Sequence, residues 1–293
     1  MELTELDETG MEVSEIGLGA MPLSLRGRPP EDEAIEVIHH ALDLGVTFID
    51  TADSYCIDQS DAHHNERLIA RALRTYSGDA SDVRIATKGG LIRPEGRWVT
   101  DCNPERLRKT IRESFEALGG DRPIDLWQLH APDEKYGIES ILEPARDAAK
   151  EGIIRHIGVS NFSVRQIERA RDVVEVVSVQ NQWNPWYRHP EADGVLDYCD
   201  EHNLTFLPWG PFGGRSRSES IKKIDVLSEI GERHGRSAYQ VTLAWMMSKS
   251  PVVLPIPGAS RKASIEDSAG AADLELTDDE LRRIDEQLNV SPA

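Results

Sequence analysis

Eight short apolar segments, starting near residues 13, 46, 83, 124, 153, 176, 205 and 252, alternate with stretches of helical hydrophobic spacing. This alternation constrains the fold more than any other feature. Strands separated by helices imply a parallel sheet covered by those helices, and eight such units imply closure into a (β/α)8 barrel. The competitor is an open, doubly wound sheet, which needs a glycine-rich phosphate turn after its first strand. Gly17-Leu18-Gly19 does not supply one: the third glycine is missing and no helix opens on it. Those glycines would let the backbone approach something closely.

Local signals fill in the frame. Leu3 to Leu6 and Met11 to Ile16 read as an N-terminal β-hairpin turning at Asp7-Glu8-Thr9-Gly10. The strand near 13, counted as the first of the eight, is its second arm. A helix opens at Pro30-Glu31-Asp32, with acids suited to its dipole, and ends before Gly45. Residues 91–102 form an irregular insertion carrying Trp98. One helix is expected from Glu191 to His202, another from Ser220 to His234, and extra helices close the C-terminus. No linker interrupts the chain, so residues 1–293 read as one barrel domain.

Composition excludes several classes. A net charge of −19 argues against binding nucleic acid or anionic membranes. No apolar run reaches the roughly 18 residues of a membrane span, and the acidic N-terminus lacks a secretory h-region. Cys56, Cys102 and Cys199 are widely spaced, which fits a reducing compartment and a cytoplasmic location. The pairs His39-His40 and His63-His64 are adjacent rather than four apart, so they are not a helical zinc site and no metal is expected. They read as helix surface residues.

Polar residues recur where the apolar strands stop: Asp50, Lys88, His130, Ser160-Asn161, Gln180 and Trp209. In a barrel these ends share one rim. Each has an ordinary alternative. A lone Lys is a solvated charge, a lone His a hydrogen-bonded core residue, Asp50 a helix N-cap, and Trp209 a core aromatic. Asp, Lys and His repeated at strand ends favour a shared site, because charges are costly to bury alone.

The chain resembles the aldo-keto reductases over nearly its whole length. The four catalytic groups of that family fall on Asp50 and Tyr55 in FIDTADSY, Lys88 in IATKGG, and His130 in LWQLHAPD. Dinucleotide-binding stretches match GVSNFS at 158–163, VQNQWN at 179–184, LPWGPFGG at 207–214 and LPIPGASRK at 254–262. The resemblance implies reduction of an aldehyde or ketone by hydride transfer from NADPH, with NADH possible. Tyr55 would donate the proton. Lys88 would lower its pKa from about 10, Asp50 would hold the lysine, and His130 would orient the carbonyl.

On the cofactor side, Gly19, Ala20 and Met21 would line the nicotinamide, and Ser160, Asn161 and Gln180 would bond its carboxamide. Trp209 would stack on the ring, and the backbone of Gly210, Pro211, Phe212 and Gly213 would meet the pyrophosphate. Ser260, Arg261 and Lys262 would take the adenosine phosphate at a helix start. The family often places Arg or Gln at the position of Ser264, and Glu-Asn where this chain has Asp267-Ser268. Both departures weaken the NADP signal. Trp98, Trp183, Trp186 and Phe212 are candidate substrate walls. Two other readings stand beside reduction: a dinucleotide-binding regulatory subunit with little turnover, and an NAD(P)-dependent sugar or alcohol dehydrogenase.

Overall fold

The computed structural model describes residues 1–214 and 216–290. Strands β1 (Leu3–Glu5) and β2 (Glu12–Ser14) pair antiparallel, with Leu3 opposite Ser14. The barrel strands are β3 (Leu18–Gly19), β4 (Phe48–Asp50), β5 (Arg84–Gly89), β8 (Ile124–Leu129), β9 (Ile154–Ser160), β10 (Val176–Gln180) and β11 (Thr205–Phe206). They form one parallel sheet in the order β11-β10-β9-β8-β5-β4-β3. Between them in the chain, β6 (Leu91–Ile92) and β7 (Val99–Thr100) make a small antiparallel hairpin.

Residues 252–258 close the ring. Phe206 N–H donates to Val252 O at 2.8 Å on one edge. Gly17 and Gly19 donate to Pro255 O and Pro257 O at 2.9 and 3.0 Å on the other. Isolated parallel bridges join Phe206 to Val253 and Gly19 to Gly258. Pro255 and Pro257 have no N–H, so this eighth stave accepts bonds from β3 without forming a regular strand.

The first stave is therefore not the segment near 13. That segment is a hairpin arm, and the barrel begins at Leu18. Leu6, Met11 and Val13 from the hairpin join Phe48, Ala86, Leu126, Val177, Leu207, Leu254 and Ile256 in one buried cluster. The hairpin thus packs on the interior layer to which the strands contribute, closing that end of the barrel.

Helices α1 (Glu31–Asp43), α2 (His64–Thr75), α3 (Pro104–Ala117), α4 (Ile138–Lys150) and α5 (Val164–Arg171) cover the strands. In α1 the buried residues Ala34, Val37, Ile38 and Ala41 follow the helical spacing, and Gly45 at φ 85° ends the run. The helix expected over 191–202 is two, α6 (His189–Ala192) and α7 (Val195–Glu201), split where Gly194 takes φ 78°. The one expected over 220–234 is a 3-10 turn, Ser218–Lys223, followed by α8 (Asp225–His234). Then come α9 (Ala238–Met247), buried on almost every side, α10 (Lys262–Ala269) and α11 (Asp278–Val290). No helix among the described residues is long and apolar enough to cross a membrane.

Candidate active site

At the C-terminal end of β4 the buried run Phe48-Ile49 delivers Asp50 to the rim. Across the ladder β5 delivers Lys88, whose ammonium is fully buried. Lys88 Nζ donates to Asp50 Oδ1 and Oδ2 at 2.7 and 2.8 Å, to Thr51 O at 2.8 Å, and to Tyr55 Oη at 3.0 Å. Gln180, from the end of β10, donates its amide N–H to Asp50 Oδ2 at 2.8 Å. His130 follows β8, and its ring meets the Tyr55 ring edge-on at 5.8 Å. Asp50, Tyr55, Lys88 and His130 therefore share one buried floor, none more than 8% exposed.

Burial, then the carboxylates of Asp50 and Asp53, push the Tyr55 phenol well above its ordinary pKa. That reverses the expectation that Lys88 lowers it: here the proton stays firmly on oxygen. Burial also pulls the Lys88 ammonium down, against the opposing pull of Asp50. Burial, helped by Lys88, holds His130 well below the usual imidazole range, so the ring is neutral. The floor thus offers a protonated phenol beside a cation and a neutral imidazole, a set able to donate a proton and polarise an oxygen.

Around the floor, Asn161 adopts φ 62° at the end of β9. Its Nδ2 donates to His130 O at 2.9 Å and to Ser160 Oγ at 3.1 Å, and its Oδ1 accepts from Trp209 Nε1 at 3.1 Å. One strained residue thereby ties together two strand ends and the half-buried indole. Gly210, Gly213 and Gly214 all take positive φ after Trp209. In Gly213 a Cβ would sit 2.8 Å from Arg217 and 2.9 Å from Trp186, so this turn accepts only glycine. Such a turn presents backbone N–H groups, and it suits a pyrophosphate. Pro211 is buried, and Phe212 packs edge-on against Tyr239 at 5.0 Å.

Some expected roles are displaced by packing. What Gly19 approaches is the chain's own last stave: its Cβ would lie 2.7 Å from Ile256 O. Ala20 is fully buried, with its N–H donated to Asp50 O, while Met21 is exposed. Trp183 is not a substrate wall. It is fully buried against Phe206 and Trp245, and its Nε1 donates to Glu191 at 2.8 Å. Ser268 is buried, and Asp267 accepts from Ser237 Oγ at 2.9 Å. Ser260 and Ser264 are half-buried at the start of α10. Arg261 caps α10, exposed and with no ion pair among the described residues, whereas Lys262 pairs with Glu36 at 2.8 Å. The paired histidines are half-buried rather than plain surface residues: His39 Nε2 lies 2.8 Å from Ala72 O, His63 bonds Glu66 at 2.6 Å and His64 meets Ser24 at 2.8 Å.

The 91–102 insertion is the β6–β7 hairpin, turned at Glu95 and Gly96 with φ 53° and 78°. It places Trp98 over the floor, 6.3 Å from both the Tyr55 and His130 rings and 46% exposed. Arg93 stacks on Trp98 at 3.8 Å. Nothing in the sequence marks Arg93, because only the hairpin brings it beside the tryptophan. Nor does the sequence mark Asp53, which is buried with its Oδ1 unpartnered among the described residues. Burial, then Glu66, raises the Asp53 carboxyl to about 7. A cleft of about 680 Å³ lined by Asp53 and Ser54 opens behind this loop; Tyr55 does not line it.

Comparison with known proteins supports the family and the barrel fold. The model of the aldo/keto reductase family matches residues 15–289. An uncharacterized oxidoreductase of Schizosaccharomyces pombe is 36% identical over 282 residues, spanning 94% of this chain and 87% of that protein. Pyridoxine 4-dehydrogenase of Escherichia coli is 33% identical over 285 residues, spanning 93% and 94%. Among solved structures, a thermostable aldo-keto reductase in complex with the inhibitor epalrestat superposes with a TM-score of 0.83 at 29% identity, covering 98% of this chain and all of that one. The glycerol dehydrogenase of Gluconobacter oxydans gives 0.83 at 26% identity, covering 98% and 94%. With the barrel, its rim and a match running almost end to end, the chain belongs to the aldo/keto reductase family of oxidoreductases.

Proposed function

We propose that the protein is an NADPH-dependent reductase of small aldehydes or ketones, with Tyr55 as the proton donor. The observation that carries this reading is the single ammonium of Lys88 bonded to both Asp50 and Tyr55 Oη. A dihydronicotinamide, when bound, supplies the hydride for the carbonyl carbon. As negative charge grows on the carbonyl oxygen, Tyr55 gives it the phenolic proton. Lys88 stabilises the phenolate left behind, which is why the proton held so firmly at rest becomes transferable during reaction. Asp50 and Thr51 O keep the ammonium in place. His130 donates from its one N–H to the same oxygen as a neutral group, so it adds no competing acid.

For the cofactor, Asn161 and Gln180 suit the carboxamide, and Trp209 offers a ring oriented by Asn161. The turn at 210–214 suits the pyrophosphate, and Arg261 suits the 2′-phosphate that distinguishes NADPH. A second reading, alcohol oxidation by the reverse route, is favoured by the names of two relatives, pyridoxine 4-dehydrogenase and glycerol dehydrogenase. The test follows NADPH and NADH oxidation over a panel of carbonyl compounds, and cofactor reduction over the matching alcohols. Tyr55→Phe should lose about 10²–10⁴ in turnover while fluorescence titration shows NADPH still bound. Full turnover in that variant would remove Tyr55 from the chemistry.

A further inference from the structure

Beside the floor sits a charge that the proposed reduction does not use. Arg93 directly follows β6, and only 6% of the residue is exposed. Its Nε and Nη1 are buried with no hydrogen-bond partner, and it makes no ion pair among the described residues. Its backbone is fixed: Arg93 N–H donates to Gln59 Oε1 at 2.9 Å, and Arg93 O accepts from Gln59 N at 2.9 Å. What the guanidinium does touch is the ring of Trp98. One cation–π contact returns far less than desolvating a guanidinium costs. In a chain with a net charge of −19, carboxylates are plentiful, yet none among the described residues pairs with it. An unmatched buried cation at the edge of a reaction site is the signature of a missing anion.

We propose that Arg93 is the anchor for an acidic group on the substrate, so that the preferred carbonyl compound also carries a carboxylate or phosphate. This deepens the reductase reading and rests on it. Trp98 is the neighbour that both groups share. Trp98 stands 6.3 Å from the Tyr55 ring, and Arg93 stands 3.8 Å from Trp98. A molecule with its carbonyl at Tyr55 Oη and its acid at Arg93 would lie against Trp98. Trp98 supplies the apolar wall between the two ends. The repulsive net charge would turn acidic molecules away from most of the surface, so the attraction is local to this corner.

The test compares 4-carboxybenzaldehyde with its neutral methyl ester on the full-length wild-type enzyme with NADPH or NADH, whichever the enzyme turns over. The acid should be favoured by about tenfold or more in kcat/KM, carried by KM, since a charge-assisted hydrogen bond is worth at least that. Arg93→Met keeps the packing on Trp98 but removes the charge. It should abolish the preference, the acid losing about tenfold more in kcat/KM than the ester does. Arg93→Lys should restore part of the preference. Equal kcat/KM for acid and ester in the wild type overturns the proposal without needing any variant to fold. So does an equal loss on both substrates in Arg93→Met, which would make the residue a packing element. Inorganic phosphate separates the remaining source: if it fills the site as a free anion and depresses acid and ester alike, the substrate role fails. Competition with the acid alone supports it. If neither aldehyde nor any other carbonyl is turned over, the reductase reading itself is what fails.

Discussion

The floor of the barrel rim and the start of α10 hold charge in opposite ways. At the floor, Asp50, Lys88 and Tyr55 are buried and share one set of short bonds, so no member can be changed alone. At α10, Arg261 and Lys262 are exposed, and Lys262 makes a lateral pair with Glu36. A buried charge is held by its partners, and removing one strands the other; an exposed charge is held by water and is replaceable. The first region should therefore answer mutation through stability and chemistry together, and the second through ligand preference alone.

The largest expected effect comes from Lys88→Met. It leaves the Asp50 carboxylate buried without its cation, which should cost roughly 3–5 kcal/mol in urea denaturation. Adding Asp50→Asn to that variant should recover much of the loss, because the stranded charge goes with it. Two losses that simply add would show that the floor is no more coupled than the surface.

Next comes a pH effect at Asp53. Its folded-state pKa of about 7 lies above the ordinary 3.8, because burial and then Glu66 oppose ionisation, while His63, Arg106 and Ser54 favour it. Between those values the native state binds the extra proton. Stability is therefore complete below the ordinary carboxylate pKa and falls as pH rises through about 7, by up to roughly 4 kcal/mol. Asp53→Asn removes that fall. Melts at pH 4.5 and pH 8.5 should show the variant gaining on wild type at the higher pH. A constant difference between the two proteins would mean that Asp53 is not held protonated.

The same contrast explains what could be read from the sequence. Six staves, from β4 through β11, were legible as apolar runs because strands covered by helices must be apolar. The last was legible too, as the apolar run starting at Val252, although Pro255 and Pro257 keep it from forming a regular strand; the first was not. Leu18–Gly19 is too short to make a run, so the segment that opens the barrel carries the weakest strand signal. Asp50, Lys88 and His130 stood out because a charge ending an apolar strand needs a partner. Trp183 was misread because a tryptophan near a rim motif looks the same whether it faces the rim or the core. Arg93 and Asp53 left no signal, since their unmatched state exists only after the β6–β7 hairpin and the 50–55 loop have packed.

At α10 the expected effects are smaller and separate two neighbouring cations. Arg261 has no ion pair among the described residues and caps the helix, where backbone N–H groups also favour an anion. Its guanidinium is free to meet a 2′-phosphate with two parallel bonds. Lys262 must first leave Glu36, whose carboxyl the lysine holds below its ordinary pKa. Arg261→Ala should therefore weaken NADPH binding about tenfold and leave NADH binding unchanged, read by titrating each cofactor against intrinsic fluorescence. Lys262→Ala should move the NADPH constant by less than Arg261→Ala does. Equal losses in the two variants would mean that the phosphate draws Lys262 away from Glu36, and that a surface pair seen without ligand does not predict which cation the ligand uses.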